Sequence, residues 1–191
     1  MLTFVVVELR VGAVGLIGAA GRAEPSAIAK GRVTGPLLLG PEGLAGDAVA
    51  DRRHHGGPDK AACVYPAARY ADWAARYGRP LPRPAFGENL LVDGVTEDDV
   101  RVGDVFALGG AEVEVSQPRV PCAKPAAFTG EARLTRDLVD TGWTGWYLRV
   151  LQPGPVAEGD VARLLRRRDG APSVAELNAA TRARGRATRA R

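Results

Sequence analysis

The 191-residue chain has few soft or titratable side chains: two cysteines, two histidines and one methionine, and only three lysines among 26 basic residues. Each scarcity excludes something. Two cysteines far apart in sequence build neither a disulfide framework nor a C-x-x-C metal ribbon, so the expected setting is a reducing compartment. A zinc site drawn from His54, His55, Cys63 and Cys122 lacks the paired spacing that such sites use. Long hydrophobic runs are missing too. The N-terminal run Phe4-Val5-Val6-Val7-Glu8-Leu9-Arg10-Val11 carries two charges, is too short to span a bilayer, and has no basic stretch before it. The expectation is a cytoplasmic protein without membrane contact. Glycines at 12, 15, 18 and 21 do not make the G-x-G-x-x-G fingerprint, and Pro25 stops any helix there, so no dinucleotide site is expected. Flavin, haem and nicotinamide motifs are likewise missing, and pyridoxal phosphate is not expected.

What is present suits one domain with a real core: 46% apolar and 25% charged residues. The net charge of +4 is uneven. Residues 163–191 hold nine arginines against Asp169 and Glu176, whereas the rest is −3, with 17 basic and 20 acidic residues. The division expected is a barrel domain over residues 1–168 and a short helix with an Arg-rich tail over 169–191. Nucleic acid is expected to engage that tail or nothing.

Short β-prone stretches alternate with Gly and Pro: 4–11, 28–33, 37–39, 61–65, 89–92, 105–108, 112–115, 146–151 and 161–165. Gly109-Gly110 reads as a hairpin turn. The pattern predicts a mostly β fold, barrel or sandwich, with two or three inserted helices rather than a βα alternation. Helices are expected over 67–77, with Tyr70, Trp73, Ala74 and Tyr77 on one face, and over 131–141, with Leu134, Leu138 and Val139 inward. Another is expected from Ser173, losing its apolar face after Leu177. Thr96 and Asp99 suggest a capping turn.

Both cysteines, both histidines and two of the lysines fall in two windows. One is His54-His55-Gly56-Gly57-Pro58-Asp59-Lys60-Ala61-Ala62-Cys63; the other is Arg119-Val120-Pro121-Cys122-Ala123-Lys124. Pro118 and Pro121 should end the preceding strand and set Cys122 on a stiff loop, where Arg119 and Lys124 favour its thiolate. Cys63 sits in an apolar run and reads as a core residue. Asp51 to Lys60 reads as a polar loop. Adjacent His54 and His55 on an extended chain would point to opposite sides, and Arg52, Arg53 and Lys60 offer cationic donors for a phosphate or carboxylate. Phe86-Gly87-Glu88-Asn89-Leu90 places an acid and an amide at a strand start. The aromatics of Gly142-Trp143-Thr144-Gly145-Trp146-Tyr147 read as core packing, or else as a ligand-pocket wall.

Together with Glu24-Pro25-Ser26-Ala27-Ile28-Ala29-Lys30, Gly46-Asp47 and Gly103-Asp104, these segments and Ser116-Gln117-Pro118-Arg119-Val120-Pro121-Cys122 occur in the order seen in MOSC domains. The chain resembles their YiiM-like branch from about residue 10 to residue 165. The resemblance implies a barrel-like fold that binds the molybdenum cofactor (Mo-molybdopterin), with Cys122 as catalytic residue and metal ligand. On that footing Arg52, His54, His55, Gly56, Lys60, Asn89, Gln117, Arg119 and Lys124 are the expected cofactor-binding residues. It further implies reduction of N-hydroxylated compounds, such as hydroxylaminopurine-type bases, to amines, with an external electron-donor protein. A non-catalytic carrier of the cofactor or of persulfide sulfur, and a nucleic-acid module acting through the tail, are the alternatives. YiiM-like chains continue into a small three-helix domain; here residues 172–180 resemble only its beginning, and the chain turns into Thr181-Arg182-Ala183-Arg184-Gly185-Arg186.

Overall fold

Alternation along one strand fixes which way the sheet faces. In the segment Ala111–Pro118, Ala111, Val113 and Val115 are buried. Between them, Glu112 and Glu114 turn outward to Arg166 and Arg149. The computed structural model containing this strand describes residues 1–18 and 23–189, without the side chains of Arg52, His54, Arg186, Thr188 and Arg189. Gly21 and Arg191 therefore lie outside the described residues.

In chain order the strands are β1 (Thr3–Val11), β2 (Gly15–Ile17), β3 (Glu24–Ser26), β4 (Gly31–Arg32), β5 (Leu37–Gly40), β6 (Gly43–Leu44), β7 (Ala62–Pro66), β8 (Leu90–Asp93), β9 (Val105–Leu108), β10 (Ala111–Pro118), β11 (Trp146–Gln152), β12 (Gly154–Val156) and β13 (Val161–Arg166). The helices are α1 (Arg52–His55), α2 (Ala68–Tyr77), α3 (Lys124–Thr129), α4 (Leu134–Thr141) and α5 (Val174–Arg189), with a 3-10 turn at Pro58–Lys60. Strands pair in the order β13-β9-β10-β11-β7-β8-β1, and β1 pairs back onto β13, so seven strands close into a barrel. Closure leaves the ring without an open edge. The fold is mostly β and barrel-like, as the sequence predicts.

The barrel interior holds Phe4, Val6, Val64, Leu90, Phe106, Val113, Trp146 and Leu148, with the Phe4 and Phe106 rings 5.1 Å apart. A second apolar cluster lies outside the wall, where Tyr65 and Leu91 meet Tyr70, Trp73, Leu134 and Leu138 of α2 and α4. That is why Ala62–Pro66 is apolar at every position: both faces of β7 are covered. Strands β7 and β8 pair in parallel, and such a pair needs a crossover, which α2 supplies. This one β–α–β unit interrupts the otherwise antiparallel ring. Gly145 is required where the 142–145 turn crosses β7, because a Cβ there would sit 2.3 Å from the Val64 carbonyl oxygen. At the other end, Ser173 and Glu176 cap α5 reciprocally, each backbone N–H donating to the other's side chain at 2.7 and 3.1 Å.

Several expectations are corrected. Residues 28–33 are not one strand: a bend at 29 separates β3 from β4. Residues 52–55 form a helical turn rather than the extended polar loop expected there. Strand β10 runs through Pro118, which still pairs with Trp146, and the chain beyond Cys122 winds directly into α3. Val139 is 45% exposed rather than inward. The Thr96–Asp99 motif forms, with Thr96 N and Oγ1 donating to Asp99, but opens no helix.

Candidate functional site

Cys63 on β7 and Tyr147 on β11 are direct cross-strand partners, so their side chains leave the same face of the wall. That face is the outer one, and both residues line a cavity of about 640 Å³. The barrel wall gives its floor; the segment between β1 and β7 and the segment after β10 give its sides. All three lysines of the chain, Lys30, Lys60 and Lys124, line it, and so do both cysteines.

Hydrogen bonds fix the floor. Asp47 accepts from the Gly12 amide at 2.9 Å and from Asn89 Nδ2 at 2.8 Å, and forms a buried ion pair with Lys30. Asn89 also accepts from the Cys63 amide at 3.1 Å and donates to the Arg10 carbonyl at 3.2 Å. It therefore ties β7 to β1 beneath the cavity. Glu88, fully buried behind it, accepts from Tyr70 at 2.5 Å and from the Phe86 amide at 3.1 Å. Burial pushes its carboxyl above the usual range despite those bonds.

Positive charge dominates the side that carries Cys122. Arg119 is 4% exposed, and its Nη1 has no hydrogen-bond partner among the described residues. Its backbone N–H donates to the Gly145 carbonyl at 3.1 Å, which holds the chain as it leaves the barrel. Lys124 reaches the Pro25 carbonyl at 3.4 Å, and the Lys60 ammonium lies 5.9 Å from the Tyr147 ring centre. His55 registers the result: burial, then the Lys124 and Arg119 charges, lower its pKa to about 4, so it is neutral at pH 7. Burial pushes the Cys63 thiol up to about 11 against the pull of Arg119. Burial likewise keeps the Tyr147 phenol protonated. Cys122 is only partly buried.

Of the residues the sequence nominates, His55, Gly56, Lys60, Asn89, Arg119, Cys122 and Lys124 line this one cavity. Gln117 does not; its amide points to the Asp59 carbonyl at 3.4 Å. The side chains of Arg52 and His54 lie outside the described residues. Sequence reasoning did not single out Ser26, Lys30 and Asp47 as site residues and left Tyr147 between core and pocket. Lysine scarcity was the available signal for Lys30, the third of three.

The surroundings bear on ligand chemistry. An arginine stripped of water with a free N–H is expensive unless an anion meets it. Among the described residues no group of three or more His, Cys, Asp or Glu side chains is placed to hold a metal ion. One thiol beside a cationic wall suits a metal that arrives with donors and a phosphate of its own.

Comparison with known proteins follows the same lines. A MOSC domain model matches residues 51–163. The Bacillus subtilis protein YflK is 45% identical over 158 residues, covering 83% of this chain and 72% of that protein. Escherichia coli YiiM is 43% identical over 146 residues, 75% of this chain and 65% of its own length. A Gibberella moniliformis protein named reductase is 36% identical over 174 residues, 87% of this chain but 30% of that protein. The crystal structure of YiiM from Geobacillus stearothermophilus superposes with a TM-score of 0.78 at 37% identity, over 94% of this chain and 84% of that one.

Proposed function

This chain belongs to the MOSC domain family, and on that premise we propose that its cavity binds the molybdenum–pterin cofactor and that the protein reduces N-hydroxylated compounds to amines. The observation that carries the reading is Arg119, a buried guanidinium with an unpartnered donor in the cavity that Cys122 lines. Arg119, Lys124 and Lys60 hold the anionic end of the cofactor, and Cys122 offers its sulfur to the metal. When bound, the cofactor supplies two-electron chemistry at an N–O bond, which no side chain here can perform. The fungal relative named reductase supports this class of reaction.

The protein's own part is position, field and protons. Asp47 and Asn89 lock Lys30 at the floor, so that this cation stays in place whatever occupies the cavity. His55, held neutral, accepts a hydrogen bond from the N–OH group and orients it rather than acidifying it. Tyr147 keeps its phenolic proton and donates. Conversion of R–NHOH to R–NH2 and water consumes two electrons and two protons. The electrons come from an external donor protein, and the protons enter from water at the cavity mouth.

Protein made in cells that synthesise the cofactor should carry molybdenum near one atom per chain and turn over 6-hydroxylaminopurine with an artificial donor. Cys122→Ala should abolish turnover with the far-UV spectrum unchanged. Retained turnover would remove Cys122 from the chemistry. Molybdenum without turnover on any N-hydroxy compound would make the protein a carrier.

A further inference from the structure

A separate crevice of about 300 Å³ opens between α4 and α5. Pro121, Leu138 and Val139 form its apolar side; Thr144, Asn178 and Arg182 form the polar side. Asn178 pins the polar side by donating to the Gly142 carbonyl and to Thr144 Oγ1, both at 2.9 Å. Arg182 is less committed. Its Nη1 is covered yet has no hydrogen-bond partner among the described residues. It packs so closely on Gly142 that a Cβ there would lie 2.3 Å from that nitrogen. Asp140, the carboxylate in the lining, is engaged with Arg136 at 3.5 Å.

We propose that this crevice is a binding site for a small carboxylate with a single-ring or short branched apolar body. Three features select that chemistry. A guanidinium that has lost water on one edge and has no ion-pair partner among the described residues gains from an anion, and a carboxylate meets its remaining N–H donors. Leu138, Val139 and Pro121 accept hydrocarbon and cannot satisfy a polar tail. The volume is at the lower end of that found for small-molecule sites, which excludes a nucleotide or a peptide. The crevice lies behind the cofactor cavity: Pro121 precedes Cys122, and Thr135 of α4 donates to the Cys122 carbonyl at 3.3 Å. A ligand seated there presses on the segment that carries Cys122. The site does not depend on the cofactor.

The test is titration of the full-length, 15N-labelled protein with benzoate, with benzyl alcohol as the uncharged control. The expected result is saturable shifts at the amides of Gly142, Asn178 and Gly185, with a dissociation constant of about 1 mM or tighter, and none with benzyl alcohol. Arg182→Gln should weaken binding by about tenfold or more, and Asp140→Asn should strengthen it by removing a like charge. Val139→Trp, which fills the apolar side and spares Arg182, should abolish it. Shifts confined to Gly56 and Gly57 would place benzoate in the larger cavity and overturn the proposal. So would equal binding of benzyl alcohol, unchanged affinity in a folded Arg182→Gln variant, or no saturation at all.

Discussion

Burial separates the two thiols that share the larger cavity. Cys63 is 6% exposed and held protonated, whereas Cys122 is partly open to solvent. Brief treatment of native protein with iodoacetamide should therefore add one carbamidomethyl group, at Cys122, and a second only after denaturation; peptide mass spectrometry reads both. His55 gives a second expectation. Its ring should titrate near pH 4 in histidine NMR spectra, and Lys124→Gln should move the midpoint upward by removing one of the charges that oppose its protonation. The consequence for stability follows from linkage. The unfolded chain protonates this ring near its ordinary 6.5, the folded chain near 4, so between those values the unfolded state binds more protons. The contribution of His55 to stability therefore falls as pH drops through that window and is flat below it. In a His55→Asn variant the denaturation midpoint should lose less between pH 6.5 and pH 4.5 than in the parent. At this scale the site was legible because rare residue types converge: every lysine and cysteine ends at one cavity. Tyr147 was harder to assign, because alternation alone does not say what covers the outer face of a strand.

Local signals of very different strength fix the secondary structure elements. Helix α5 begins from Ser173 as the sequence predicts, and because Ser173 caps it, Ser173→Ala should cost about 1 kcal/mol, lowering the melting temperature by about 2–4 °C in a calorimetric scan. Gly145→Ala should be far worse. Its φ of 70° disfavours a side chain, and the added methyl collides with the Val64 carbonyl, so little folded protein should be recovered. The barrel strands were readable from short β-prone runs between Gly and Pro, and α2 and α4 from helical spacing; in the structure Gly78 and Gly142 end these helices at φ values of 67° and 77°. The shorter pieces were not. Helices α1 and α3 have four and six residues, too short to show a period, and α3 follows a proline-rich segment that reads as a stop. Helix α5 continues to Arg189 although its apolar pattern fades after Leu177; contacts such as Asn178 to Gly142 and Thr144 are invisible in sequence. Among the described residues, no helix is long and apolar enough to cross a membrane.

Among the described residues two apolar clusters have β7 between them: Val64 points into the barrel, and Tyr65 points out toward Trp73 and Phe86. Tyr65 accepts from the Trp73 indole at 2.7 Å and donates to the Trp143 carbonyl at 3.0 Å, so the outer cluster is tied to the wall by hydrogen bonds as well as by packing. Because one strand serves both, the two clusters are expected to unfold together. Tryptophan fluorescence, which samples Trp146 inside and Trp73 and Trp143 outside, should report the same urea midpoint as far-UV circular dichroism. Two separated transitions would show that the layers are independent. The ring carries one further consequence. The cavity draws its sides from two long insertions, between β1 and β7 and between β10 and β11, that leave and rejoin a hydrogen-bonded hoop complete without them. The segment between β1 and β7 can thus be exchanged for a relative's to reshape the cavity, whereas the segment between β10 and β11 cannot be exchanged whole, because its Leu134 and Leu138 belong to the outer apolar cluster.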